Sequence, residues 1–167
     1  LEKLGIKAGG SSAPDDESIR RAGEAGWAVQ VWGAIEPRDE DAVMEGILYD
    51  YTRKEEVGRK RYVGSPDVVR QMAHRFADEL AFHFTGEQGI ARSRIAYVSE
   101  KGRGKELFVM DYDGYNPRQV TFDEFLNLAP SWSPDKQHLA FVTYRAGKDP
   151  EIHALDLTTG RRRVIVA

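Results

Sequence analysis

The sequence has 167 residues, of which 41% are hydrophobic, so it can form one domain or two small domains with apolar cores. Its formal net charge is −3 and neither half concentrates basic residues, which argues against a nucleic-acid partner because phosphate binding needs clustered Lys and Arg. It has no cysteine, which excludes disulfides, thiolate metal ligands and cysteine nucleophiles. No stretch approaches the ~20 apolar residues of a membrane-spanning helix, and Leu1 opens the sequence without an apolar targeting segment.

The first 90 residues predict an α+β domain, a mixed sheet with helices on one face. The first dozen residues indicate a loop, and the acidic residues from Asp15 onward indicate the start of a short helix that reaches about Ala25. From Trp27 the apolar residues recur at every second position, which predicts a strand. Two further strands are predicted at Ala42–Tyr51 and Val57–Val63, separated by polar turns.

A second, longer helix is predicted to begin at Ser65. The Ser65 side chain can cap free backbone amides, Pro66 has no amide to satisfy, and Asp67 suits the positive end of the helix dipole. The opposite, polar face includes Asp78, and the helix is expected to end near Thr85-Gly86. Apolar residues recur at spacings of three and four and predict one buried stripe: Val69, Met72, Ala73, Phe76, Ala77, Leu80 and Phe84.

The helical period stops at Gly86, and a strand period begins at Arg94. We therefore expect a domain boundary between these two residues, with an α+β domain over 1–90 and a different, all-β domain over 91–167.

The second half contains an internal repeat, whose second copy is predicted to run from Ser131 to the end. Three pieces of the first copy return in the second with a period of about 45 residues: Arg94–Ser99 as His138–Thr143, Glu106–Asp111 as Glu151–Asp156, and Gly114 as Gly160. Short strands at this period are typical of WD40-like β-propeller blades, which stack around a central channel. Two repeats do not close a ring, so we expect an incomplete propeller and a chain that is a piece of a longer one.

The motifs that suggest chemistry have simpler structural interpretations. Asp111-Tyr-Asp-Gly114 begins like a calcium loop, but the twelfth position is Phe122 instead of a carboxylate, so a tight turn is favoured. Trp132-Ser-Pro-Asp135 predicts a turn that buries the tryptophan between blades, with Ser133 and Asp135 in capping roles. A serine hydrolase would need a G-x-S-x-G nucleophile turn, which the sequence lacks.

The four histidines do not show the spacing of metal ligands, and each is expected to be exposed or half-buried: His74, His83, His138 and His153. We therefore predict no catalytic site, no metal site and no cofactor.

From Met72 to Ala167 the chain resembles the TolB family, periplasmic proteins of the Tol–Pal system of Gram-negative envelopes. The resemblance rests on six segments in the same order and spacing: Ala73–Asp78, Phe84–Glu87, Arg94–Val98, Met110–Pro117, Trp132–Asp135 and Leu139–Val142. Lys136 stands where the family's repeat usually has glycine, and Leu1–Gly26 carries no family motif.

The resemblance implies a non-enzymatic periplasmic adaptor. Its propeller would bind the peptidoglycan-associated lipoprotein Pal and support outer-membrane integrity and cell division. The family's amino terminus engages the inner-membrane protein TolA, and that segment is not recognisable here. The alternative is the propeller of a peptidase that gates substrate access, and a calcium-stabilised structural repeat is a third hypothesis.

The segment that links the two repeats is the predicted partner-binding loop. It mixes aromatic, aliphatic and acidic residues, and such loops on rigid scaffolds often carry recognition. Ordinary packing between blades is the equally weighted alternative. The candidate residues are Phe122, Glu124, Phe125, Asn127 and Leu128.

Overall fold

The structure is a computed structural model that describes residues 15–145 and 148–166. The chain divides into two compact units, Leu1–Gly89 and Ile90–Ala167. The predicted loop over the first dozen residues lies outside the described part. Neither described helix is long and apolar enough to cross a membrane.

The first unit contains three strands and two α-helices. In chain order they are α1 (Asp16–Glu24), β1 (Val29–Arg38), β2 (Asp41–Asp50), β3 (Glu55–Gly64), a 3-10 turn (Pro66–Val68) and α2 (Val69–Thr85). The strands form one sheet in the order β1-β2-β3, with both pairs antiparallel. The predicted α+β class is confirmed, but the sheet is antiparallel and not mixed, because two short turns connect consecutive strands.

The two helices lie on opposite faces of this sheet. Ala22 of α1 packs with Ile47 of β2, whereas Phe76 of α2 packs with Met44 and lies against Gly46. Successive residues of a strand point to opposite faces of the sheet. Ile47 therefore contacts α1, whereas Met44 and Gly46 contact α2. The expectation that the helices share one face is therefore wrong. Strand β2 has apolar residues on both of its faces, as expected for a strand in a sheet that is covered on both sides.

Helix α1 begins as predicted. The Asp15 side chain accepts a hydrogen bond of 2.8 Å from the backbone N–H of Ser18, which is the geometry of an N-cap. This interaction lowers the pKa of Asp15, because the hydrogen bonds from Ser18 favour the charged carboxylate.

Helix α2 differs from the prediction in three details. Within the described part of the chain, Ser65 makes no side-chain capping bond, and Pro66 starts a 3-10 turn that leads into the helix. Asp78, expected on the polar face, is buried. In the predicted apolar stripe, Met72 and Phe76 are buried and Leu80 is partly buried, whereas Ala73, Ala77 and Phe84 are exposed. The helix end at Gly86 is confirmed, with a left-handed φ of 71°.

The second unit contains seven strands. They are β4 (Arg94–Lys101), β5 (Gly104–Asp111), β6 (Arg118–Gln119), β7 (Leu126–Trp132), β8 (His138–Tyr144), β9 (Glu151–Asp156) and β10 (Arg162–Val166). Their order is β10-β9-β8-β7-β5-β4, with β6 paired to β5. Strands β7 to β10 form a complete four-stranded antiparallel blade. Strands β4, β5 and β6 are the repeat counterparts of β8, β9 and β10, so an incomplete propeller is confirmed.

The second repeat begins earlier than predicted. Its first strand, β7, starts at Leu126, whereas the sequence pattern indicates a start at Ser131. The register of β7 with β8 shifts between Leu128 and Ser131, and Ala129 has a φ of 52°. This bulge interrupts the period-two pattern, which explains why the strand is not visible in the sequence.

Candidate functional site at the junction of the two repeats

The junction segment, residues 120–125, connects β6 to β7, and the structure separates the five candidate residues. Phe122 has 74% of its surface exposed, and Glu124 is also exposed. Phe125 and Leu128 are half-buried, and Asn127 is fully buried. Leu128 and Asn127 belong to β7 and not to a loop. Phe122 and Glu124 therefore remain available to a partner, whereas Asn127 is part of the packing between the repeats.

A buried glutamate holds the start of this segment. Glu106 at the centre of β5 accepts hydrogen bonds from the Thr121 hydroxyl and, at 2.7 Å, from the backbone N–H of Glu124. The Asn127 amide lies 3.2 Å from the same carboxylate, and the backbone N–H of Leu107 donates to the Thr121 hydroxyl at 2.9 Å. A buried carboxylate needs such donors to remain stable. Glu106 is a buried residue that positions the junction segment and that the motif search missed, although its recurrence as Glu151 in the repeat was a usable signal.

Asp123 links the segment to the second repeat. Its carboxylate forms an ion pair with Arg162 of β10 and accepts 2.8 Å and 3.1 Å hydrogen bonds from the Asn127 amide and the Phe125 backbone N–H. Burial alone would raise the pKa of Asp123, but the hydrogen bonds from Asn127 and Arg162 outweigh it and hold the pKa below its usual value. The charged Asp123 side chain therefore fixes the junction segment to the second repeat.

His153 extends this network, and its position corrects the prediction that it is exposed or half-buried. The ring has only 2% of its surface exposed. The Arg162 Nε donates to its Nδ1 at 2.6 Å, and its Nε2 lies 2.7 Å from the Glu151 carboxylate. Since arginine can only donate, the ring hydrogen lies on Nε2, towards Glu151. Partners at both nitrogens make burial of the ring possible. The hydrogen bond from His153 also lowers the pKa of Glu151.

The backbone of the segment lies against β5. A Cβ atom on Gly104 would lie 2.4 Å from the Glu124 carbonyl carbon, so this position requires glycine. The Lys105 N–H donates to the Phe125 carbonyl at 2.9 Å, and the Arg145 guanidinium lies 5.4 Å from the Phe125 ring centre. The segment that presents Phe122 is therefore held in one conformation by backbone and side-chain contacts on several sides.

In the Trp132–Asp135 turn, Ser133 and Asp135 have the predicted capping role, whereas the predicted burial of Trp132 is only partial. Ser133 donates to the Asp135 carboxylate at 2.5 Å, and the His138 N–H donates to the Ser133 hydroxyl at 3.0 Å. The hydrogen bond from Ser133 is the main reason that the pKa of Asp135 falls to about 2. Trp132 is half-buried, with the guanidinium of Arg94 from the first repeat 4.8 Å from its ring centre.

The Asp111–Asn116 segment is a tight turn, as predicted. The Asp111 N–H donates to the Tyr115 carbonyl at 2.9 Å, and Gly114 has a φ of 84°. The described residues contain no group of three or more His, Asp or Glu side chains arranged to hold a metal ion.

Comparisons with known proteins agree on one family. The family model described as the TolB beta propeller domain matches residues 82–167. The Tol-Pal system protein TolB of Desulfosudis oleivorans is 39% identical over 72% of this chain, and that of Polaromonas naphthalenivorans is 32% identical over 96%. The chain spans 27% and 38% of the length of these two relatives.

A solved structure shows the same fold. The crystal structure of TolB from Acinetobacter baumannii superimposes with a TM-score of 0.76 at 28% sequence identity, over 89% of this chain and 38% of that one. The match of the family model to more than half of the chain, together with these relatives, establishes that the chain belongs to the TolB family.

Proposed function

We propose that this chain acts in a non-enzymatic, periplasmic adaptor of the Tol–Pal envelope complex, which binds the lipoprotein Pal through propeller loops. In that role it supports outer-membrane integrity and cell division. Two findings support the proposal: the curated relatives are Tol-Pal system proteins, and the junction of the repeats presents an exposed aromatic side chain on a fixed segment.

Phe122 is the observation that carries the proposed binding site. Large aromatic side chains dominate the energetics of protein interfaces, and a segment already fixed in one conformation loses little entropy when a partner binds. Glu124 is exposed two residues away and can contribute a polar contact at the rim. We assign Phe125, Asn127 and Leu128 to positioning this segment, because Asn127 and Phe125 bond or pack within the network described above.

Calorimetric titration with purified Pal tests the proposal. The substitution Phe122→Ala removes an exposed ring and leaves the hydrogen bonds of Glu106 and Asp123 intact. The melting temperature should therefore not change. If Phe122 is an interface anchor, the Kd should rise about tenfold or more, because truncating such an anchor typically costs about 2 kcal/mol.

Tyr112→Ala is the matched control. Tyr112 is an aromatic residue with 47% of its surface exposed, and it follows β5 at the end of the strand opposite to Lys105 and the junction segment. Its removal should leave the Kd unchanged. Equal Kd values for wild type and Phe122→Ala would place the interface elsewhere on the propeller, and a wild-type chain that does not bind Pal would contradict the adaptor proposal itself.

TolA is the second proposed partner, through the amino-terminal part of the protein. The same calorimetric titration with the periplasmic region of TolA, compared between the chain and a version lacking residues 1–14, tests this interaction. Loss of binding in the shortened version would support it, and equal binding would contradict it.

No observation favours the peptidase-associated alternative. The Ser133 hydroxyl and the Asp135 carboxylate are both engaged in the Trp132–His138 turn, where the hydroxyl also lies 3.0 Å from the His138 carbonyl oxygen. These groups stabilise a turn, which accounts for their presence without a catalytic role.

A further inference from the structure

Three buried polar atoms on strands β7, β8 and β10 have no hydrogen-bond partner among the described residues: Asn127 Oδ1, Thr143 Oγ1 and Arg162 Nη2. Asn127 and Thr143 are both completely buried. Leaving such atoms without partners in the interior is unfavourable, because their bonds to water in the unfolded chain are not replaced. Three of them in one network call for a common explanation.

The topology brings the three side chains to one place. Asn127 of β7 lies directly opposite Thr143 of β8, and side chains of such a pair lie about 4.5–5.5 Å apart on the same face of the sheet. Asn127 and Arg162 bind the two oxygens of one carboxylate, since Asp123 accepts from the Asn127 amide through Oδ1 and pairs with Arg162 Nη1 through Oδ2. The three side chains are therefore linked through the β7–β8 pairing and the Asp123 carboxylate.

The donor and acceptor capacity of the three atoms indicates which kind of molecule can bond to all of them. Arg162 Nη2 can only donate, Asn127 Oδ1 can only accept, and Thr143 Oγ1 can do either. A cation would be repelled by the positive charge of Arg162. An anion would be repelled by the Asp123 carboxylate and by the amide oxygen of Asn127. A water molecule can accept from Arg162, donate to Asn127 and bond Thr143, and buried waters typically make about three such bonds.

We propose that one ordered water molecule bridges Asn127, Thr143 and Arg162 and joins these residues of the second blade into a single hydrogen-bonded network. Through Asn127 and Asp123, the water contributes to the support of the junction segment.

The sign of one stability change tests the proposal. Thr143→Val removes the hydroxyl at nearly constant volume. If the hydroxyl bonds the water, its loss should lower the melting temperature by about 2–4 °C, the shift expected for one hydrogen bond in a chain of this size. If the hydroxyl is buried without a partner, its removal should raise the melting temperature. An unchanged or higher melting temperature would overturn the proposal.

Thr121→Val is the matched control, because it makes the same chemical change at a buried position. The Thr121 hydroxyl already bonds Glu106 and the Leu107 N–H, so its loss should lower the melting temperature whether or not the water exists. A high-resolution crystal structure of the chain provides the second measurement. The proposal requires one solvent peak within hydrogen-bond distance of all three atoms; direct bonds among these side chains, or a peak that refines as an ion, would refute it.

Discussion

Lys136 shows how one residue adapts to a turn that favours glycine. It has a φ of 60° within the Trp132–His138 turn, and its N–H donates to the Ser133 carbonyl at 2.9 Å. The family's repeat usually has glycine at this position, so a lysine predicts a turn with a different backbone conformation. The structure instead shows the conformation that glycine would adopt, with a side chain in its place. The residue therefore bears the steric cost of the left-handed region.

We predict that Lys136→Gly stabilises the chain. Removing the Cβ atom relieves a strain of about 1–2 kcal/mol, partly offset by the greater flexibility of glycine in the unfolded state, so a net gain of up to about 1 kcal/mol is expected in urea unfolding. Gly160→Ala is the control, because Gly160 has a φ of 71° and open space around it. The Gly160→Ala variant should be less stable than the wild type, because alanine is strained at this φ although its Cβ atom would contact no neighbouring atom. A loss of stability in Lys136→Gly would show that the lysine side chain contributes more than the strain costs.

Among the secondary-structure elements, the contact between α2 and the sheet depends on Gly46. A Cβ atom on this residue would lie 2.4 Å from the ring of Phe76, so the absence of a side chain allows the helix to approach β2. Phe76, Met72 and Met44 form the core on this face. The close packing explains why a helix of moderate amphipathicity holds a well-defined position on the sheet.

We predict that Gly46→Ala destabilises the first unit by about 1–3 kcal/mol, the usual cost of overpacking a core. Gly33→Ala is the matched control in the neighbouring strand. The nearest atom to a Cβ there is 3.8 Å away, so the change should be close to neutral. Thermal unfolding followed by circular dichroism measures both. Equal losses in the two variants would attribute the effect to strand propensity and not to the Phe76 contact.

For the whole molecule, the incomplete propeller leaves apolar strand surface uncovered. Val164, Ile165 and Val166 on the edge strand β10 are each about half exposed. At the other edge of the sheet, β4 pairs only with β5 among the described strands. Long unprotected edges and exposed apolar side chains favour association with other chains.

We predict that residues 91–167, expressed alone, self-associate. Sedimentation velocity at several concentrations should show species larger than a monomer, and Ile165→Lys should shift the distribution towards the monomer because it places a charge on the exposed edge. The same fragment tests whether 1–90 and 91–167 are separate domains. A monodisperse fragment that melts cooperatively would contradict the aggregation prediction and support independent folding of the second domain.

Features that depend on local period and on turn chemistry could be predicted from the amino-acid sequence. The 45-residue repeat, most of the strands, the helix end at Gly86 and the tight turns at Gly114 and Trp132–Asp135 follow from patterns within a few residues of each other. The relation to the TolB family also came from the residues, because its motifs occur in a fixed order and spacing.

Which side chains contact one another depends on the fold and could not be predicted from local patterns. The bulge in β7 hid the first strand of the second blade, and the placement of α1 and α2 on opposite faces depends on which face each strand offers after pairing. The burial of Asn127 and His153 depends on Asp123, Glu151 and Arg162, which lie up to 39 residues apart in the chain. A single sequence records no such long-range partners. The partner-binding segment therefore stays a prediction, and its division into exposed Phe122 and buried Asn127 required the fold.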